Sequence, residues 1–370
     1  MSDERPCKRL RTGSSSEEHI ALTAAPSSTT PVSGELKRDG EVWFPAGNII
    51  LVASGQVAFR VYQGILSRRS EVFRGLFELP PPPDSEKMDD CPIVHLPDDP
   101  LDLKQLLLVI CCRKNYFYRQ DVVIPTAFPV LSALIRMSHK YGVQDLYDTA
   151  LSRLKRFYTS DFETWRDVEG RKHYVQTSPA DALAVIEIAH ITDNPSLIPT
   201  AYLMCCSLDT LVRKKRTHDQ ILDVPMLSEL TPWDLQRVFT GKARLAQRRA
   251  AGVLAIMQAA PCKDCDKADR CSMATLRTLQ RIDVAEIESS MHDKHVFDPL
   301  ASWLWKRGQF VRLCGPCTRA VDTTEKRMKL ETWCKLPEIF DLRVPAACWP
   351  TLSDVLVEEE YDDADEDEDY

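Results

Sequence analysis

Residues 49–96 constrain the fold more tightly than any other stretch, because their hydrophobic period changes twice within a short span. Ile49–Ala53 is a continuous apolar run suited to a buried strand, and Ser54 and Gly55 supply a turn. Val57, Phe59 and Val61 then alternate with Ala58, Arg60 and Tyr62, which predicts a second strand with one face buried. Ser70 is placed to cap a helix carrying Val72, Phe73, Leu76 and Phe77 on one stripe, and the prolines from Pro80 to Pro83 stop it. Ile93–Leu96 offers a returning strand. A hairpin, two helical turns and a strand define a small α+β unit rather than an all-helical one.

Helices follow. Asp99 is a plausible cap with Pro100 at the first helical position, and Leu103, Leu106, Leu107 and Ile110 recur at helical spacing. Val130–Met137 reads as another helix ended by Gly142. Val143, Leu146, Tyr147, Ala150, Leu151 and Leu154 then form a stripe that packs back as a helical hairpin.

Three blocks, FRVYQGILSRRSEVFRGLF, VHLPDDPLDLKQLLLVI and LIRMSHKYGVQDLYDTALSRL, occur in the order found in a BTB/POZ domain. The chain resembles the version seen in fungal BTB proteins over roughly residues 38–158. The resemblance implies protein–protein interaction, with self-association or pairing to a related BTB chain through the first helix and strand. It marks Tyr62, Arg68 and Arg69 as candidate partner contacts. Two positions depart from the family: Asn48 stands where an Asp is common, and Tyr62 where a His is common. Arg69 resembles the basic member of the charged pocket of BTB transcription factors, but its acidic mate is missing at position 48. The loop PPPPDSEKMDD lacks the apolar residue ahead of a Glu that ubiquitin-ligase adaptors carry, so a cullin-type adaptor is the alternative rather than the first reading.

The 370 residues are enough for two or three domains, and 44% hydrophobic content supports ordinary cores. The boundaries predicted are a polar tail at 1–38, the BTB-like domain at 39–158, a linker at 159–178, a mainly helical domain at 179–356 and an acidic tail at 357–370. The final segment carries ten carboxylates, without which the net charge of −8 becomes +2. Such polar ends do not bury enough apolar surface to offset ordering entropy. Lys8, Arg9 and Arg11 form a basic cluster that suits nuclear import. No apolar run approaches the length of a membrane span, the N-terminus is too polar for a secretory signal, and thirteen cysteines then point to a reducing, intracellular setting. Arg213–Arg216 reads as a solvated helix end; with no aromatic residue interleaved, nucleic-acid binding is not indicated.

The helical domain opens at Ser178 and Pro179, is punctuated by Asn194 and Pro195, and resumes at Thr231 and Pro232 with an alanine-rich helix through Ala260. Its chemistry lies in cysteines. Cys262 and Cys265 form one CxxC and Cys314 and Cys317 another, with Cys271, His292, His295 and Cys334 nearby. Zinc takes four such ligands in a tetrahedron, and a CxxC turn supplies two at once, so these four are the candidate ligands of a structural zinc. Cys271 or a histidine is the natural substitute. The 48-residue spacer exceeds the about fifteen to twenty residues of a compact ribbon, so the site needs distant helices to converge. Fungal BTB proteins carry a CxxC ahead of a segment similar to the one marked here by Trp333, Leu336, Pro337, Phe340, Leu342, Trp349 and Leu352. Trp303, Trp305 and Trp333 read as core.

The CGPC string also suits a thiol–disulfide oxidoreductase, whose first thiol needs a helix N-terminus and whose preceding strand would be Phe310–Leu313. The helical period of residues 182–281 argues against that fold. No Ser–His–Asp arrangement, phosphate-binding glycine loop or paired carboxylates emerge, and the chain reads as a non-catalytic adaptor or regulator.

Overall fold

A computed structural model describes residues 36–80, 86–119, 122–207, 212–216, 221–225, 230–281, 296–301 and 313–355. The tails, His292, His295, Trp303, Trp305 and Phe310 lie outside them. The chain divides into two compact units, Met1–Tyr116 with Ala133–Asp148 and Phe117–Ser132 with Thr149–Tyr370. The first is α+β and the second mainly helical. No helix among the described residues is long and apolar enough to cross a membrane.

The first unit holds a sheet of β1 (Lys37–Trp43), β2 (Ile49–Ala53), β3 (Val57–Val61), β4 (Lys87–Met88) and β5 (Cys91–His95), ordered β1-β3-β2-β5-β4. β2 and β3 form the predicted antiparallel hairpin, with Leu51 opposite Phe59 and Gly55 at φ 71° in the turn. β5 returns parallel to β2, and β1 lies parallel to β3. All five residues of β2 are buried. In β3 the one-faced expectation falls short: Ala58 is buried as fully as Phe59 and Val61. Ala58, Ile50, Val52 and Cys91 are covered by Leu36, Trp43, Met88 and Ile93, so apolar side chains close the second face too.

Helices α1 (Gln63–Arg69) and α2 (Glu71–Glu78) follow the hairpin. Ser70 caps α2 as predicted, accepting from the Phe73 N–H at 3.0 Å while its hydroxyl donates to the Tyr141 carbonyl. Phe73 is fully buried and stacks on Tyr141 at 4.3 Å, whereas Val72 of the predicted stripe is 46% exposed. Asp99 caps α3 (Pro100–Cys112) through the Leu101 N–H at 2.8 Å, and Leu103, Leu106, Leu107 and Ile110 are buried. Helix α4 (Phe128–Lys140) turns at Gly142, φ 63°, into α5 (Gln144–Phe157). Buried Asp98 accepts from Lys140 Nζ and from the Tyr141 hydroxyl, which fixes this corner with a charge that is fully partnered.

In the second unit the short pairs β6 (Tyr118–Arg119) with β7 (Val122–Val123) and β8 (Thr126–Ala127) with β9 (Val175–Gln176) accompany helices α6 (Phe162–Arg166) and α7 (Val168–Lys172). The stretch 159–178 is therefore not an irregular linker. Asp161 and Asp167 cap α6 and α7, and Phe162, Trp165 and Val175 are buried. The larger helices are α8 (Ala182–Ile191), α9 (Ile198–Cys206), α10 (Pro232–Gln258), α11 (Ala268–Arg281), α12 (Gly315–Cys334) and the single-turn α13 (Leu336–Ile339). Residues 213–216 belong to β10 (Val212–Arg216), antiparallel to β11 (Ile221–Pro225), rather than to a helix end.

Thr231 caps α10, accepting from the Asp234 N–H, and α10 runs unbroken through the alanine-rich stretch. Gly241 lets it approach Phe340: a Cβ there would stand 2.2 Å from two carbons of that buried ring. Gly241→Ala is expected to cost about 1–3 kcal/mol from overpacking, after any gain in helix propensity of about 1 kcal/mol. Urea unfolding of the helical unit reads this directly.

Candidate metal centre

Three helix ends converge on the cysteines. α10 stops at Gln258, and Cys262 and Cys265 follow in a tight turn closed by the Cys265 N–H on the Cys262 carbonyl at 3.3 Å. Cys271 sits in the first turn of α11, where its N–H reaches the Lys267 carbonyl. Cys314 is the N-cap residue of α12, with Pro316 and Cys317 in the first turn. These thiols sit on a buried cluster that includes Val253, Ile256, Met257, Leu300 and Val321.

The sulfurs of Cys265, Cys271, Cys314 and Cys317 all lie within 4.8 Å of one another. Cys265 and Cys314 are 3.7 Å apart, against an edge of about 3.8 Å for a tetrahedron of sulfurs 2.3 Å from a zinc. These four residues can hold a metal ion such as zinc. Three of them are the ligands expected from the sequence. Cys271 joins them in place of Cys262, whose sulfur lies outside the quartet but 3.6 Å from that of Cys317. Cys271, near the start of α11, is fully buried, while Cys262 is half-buried.

Two sulfurs of the quartet accept a backbone N–H: Cys271 receives that of Cys314 at 3.3 Å, and Cys317 that of Cys262 at 3.4 Å. Such donors serve thiolates far better than thiols, and they fix ligand orientation around a cation. The Cys317 N–H is the main reason that the Cys314 thiol is lowered to about 6. Burial pushes Cys317 strongly upward in the absence of a compensating charge. Packed apolar side chains around four sulfurs make a divalent cation the natural means of keeping them ionised.

The surface residues expected to contact partners are separately placed on the first unit. Tyr62 is half-buried with its ring 5.3 Å from Phe44, and Arg68 is exposed on α1. Arg69 has an acidic mate after all: Asp145 of α5 accepts from its guanidinium at 2.7 Å. Asn48 is occupied otherwise, its side-chain oxygen accepting the Gln63 N–H. That mate was invisible in the sequence because it lies 76 residues further on.

No protein-family model matches the chain, and no curated protein matches it by sequence.

Proposed function

We propose that the chain is a non-catalytic interaction protein. A BTB-like module associates with a second copy or with a related module, and a helical module fastened by structural zinc provides a further binding surface. The association reading is supported chiefly by the layout of the first unit. A β2–β3 hairpin, the α1–α2 pair, a parallel β5, α3 and the α4–α5 turn follow one another in the order read from the sequence. Helix α1 presents Ile65, 38% exposed, beside Arg68 and Arg69. The zinc reading is supported by the four-sulfur quartet and its N–H donors.

Light scattering of the full chain at micromolar concentration is expected to give a dimer mass, and Ile65→Glu to shift it toward the monomer. A wild-type chain that is monomeric throughout would rule out self-association. Tagged purification then separates the two uses of such a module, since recovery of a cullin scaffold marks a ligase adaptor and recovery of chromatin proteins marks a regulator.

One observation favours the oxidoreductase reading instead. Cys314 stands at the N-terminus of a twenty-residue helix and its thiol is lowered, as an attacking thiol requires. Against it, the elements preceding α12 among the described residues are the helices α10 and α11, and the Cys314 sulfur is engaged with that of Cys265. Reversible cycling of a Cys314–Cys317 disulfide in metal-free protein would select this reading.

A further inference from the structure

A tetrahedral zinc takes four thiolates, and this centre assembles five cysteines. Cys262 is the surplus one, and its position is informative. Its sulfur is 3.6 Å from Cys317 Sγ, close enough for direct attack of one on the other, and its own N–H donates to that same sulfur. Cys271, Cys314 and Cys317 are buried, whereas Cys262 is only half-buried. Cys265 is equally reachable but belongs to the quartet, so a bound metal would occupy its sulfur lone pair.

The geometry points to Cys262 as a sensor thiol: a peroxide oxidises it, and the resulting Cys262–Cys317 disulfide withdraws a ligand and releases the zinc. This inference rests on the zinc reading above and adds its regulation. In the first step the Cys262 sulfur attacks the peroxide. An S–O bond forms and the O–O bond breaks, sulfur loses two electrons, and the peroxide is reduced to water or an alcohol. In the second step the Cys317 thiolate leaves the metal and attacks the sulfenic sulfur. An S–S bond forms, the S–O bond breaks, and hydroxide departs to take a proton from solvent. Zinc is left with Cys265, Cys271 and Cys314, an incomplete set. A dithiol reductant reverses the change and restores the fourth ligand.

The test uses the full-length zinc-loaded chain, hydrogen peroxide, a chromogenic zinc chelator and peptide mapping of disulfides. The wild type is expected to release zinc as the Cys262–Cys317 disulfide forms. Cys262→Ser is expected to carry the same zinc at rest and to release it about tenfold more slowly. Cys262→Ala serves as a second variant without a hydroxyl. If both variants lack zinc at rest while remaining folded by circular dichroism, Cys262 is a ligand and the sensor role is overturned. Release at the wild-type rate from both variants overturns it equally. A wild-type chain that binds no zinc overturns the metal reading itself, a result distinct from either of these.

Discussion

Replacing Cys317 by Ser, or stripping the metal with a strong chelator, is expected to abolish the cooperative unfolding of the helical unit while leaving that of the sheet-containing unit in place. Structural zinc in small domains contributes an apparent binding free energy of about 10–16 kcal/mol, comparable with the about 5–15 kcal/mol that separates a folded domain from its unfolded ensemble. Cys317 is the residue whose loss should matter most. It is wholly buried, belongs to the quartet, and packs with Val253, Ile256 and Val321 in one cluster. Removing it leaves only Cys265, Cys271 and Cys314 of the quartet. Differential scanning calorimetry is expected to show the loss of the helical unit's transition.

Trp333→Ala is expected to produce the second large loss, about 3–5 kcal/mol in the helical unit. The indole is fully buried and meets Trp349 at 5.2 Å, Phe162 at 5.4 Å, Trp165 at 5.6 Å and Phe297 at 5.8 Å. Its Nε1 donates to the Ser160 carbonyl at 2.8 Å, so truncation leaves a large void together with an unpaired carbonyl. Trp333→Phe retains a ring but not the donor, and is expected to cost about 1–3 kcal/mol. Guanidinium unfolding followed by far-ultraviolet circular dichroism orders the three proteins. Equal stability of Trp333→Ala and the wild type would mean that this cluster does not hold the unit together.

The features legible in the sequence were those whose cause is local. Ser70, Asp99 and Thr231 cap helices through N–H groups two or three residues away, so each cap can be read from a short string. The β2–β3 hairpin was equally readable, since a turn flanked by apolar runs is self-contained. Tertiary causes were not. Strand β1 is a polar string, KRDGEVW, and becomes a strand only because β3 offers it a parallel partner. Helices α6 and α7 are five residues each, too short to show a period, and Phe162 and Trp165 of α6 gain their burial in the aromatic cluster around Trp333.

The same division runs through the cysteine centre. Spacing alone marks Cys262, Cys265, Cys314 and Cys317, because two CxxC turns are a local pattern. Which of five thiols lies outside depends on where α11 starts and how it docks, and that placed Cys271 inside.

X-ray absorption at the zinc edge of the chain purified without chelator reads the ligand shell of the cysteine centre. One zinc per chain surrounded by four sulfurs at about 2.3 Å is expected, unchanged in Cys262→Ser. An absence of zinc with the cysteines free or paired as disulfides, or a shell dominated by nitrogen and oxygen donors, would contradict it.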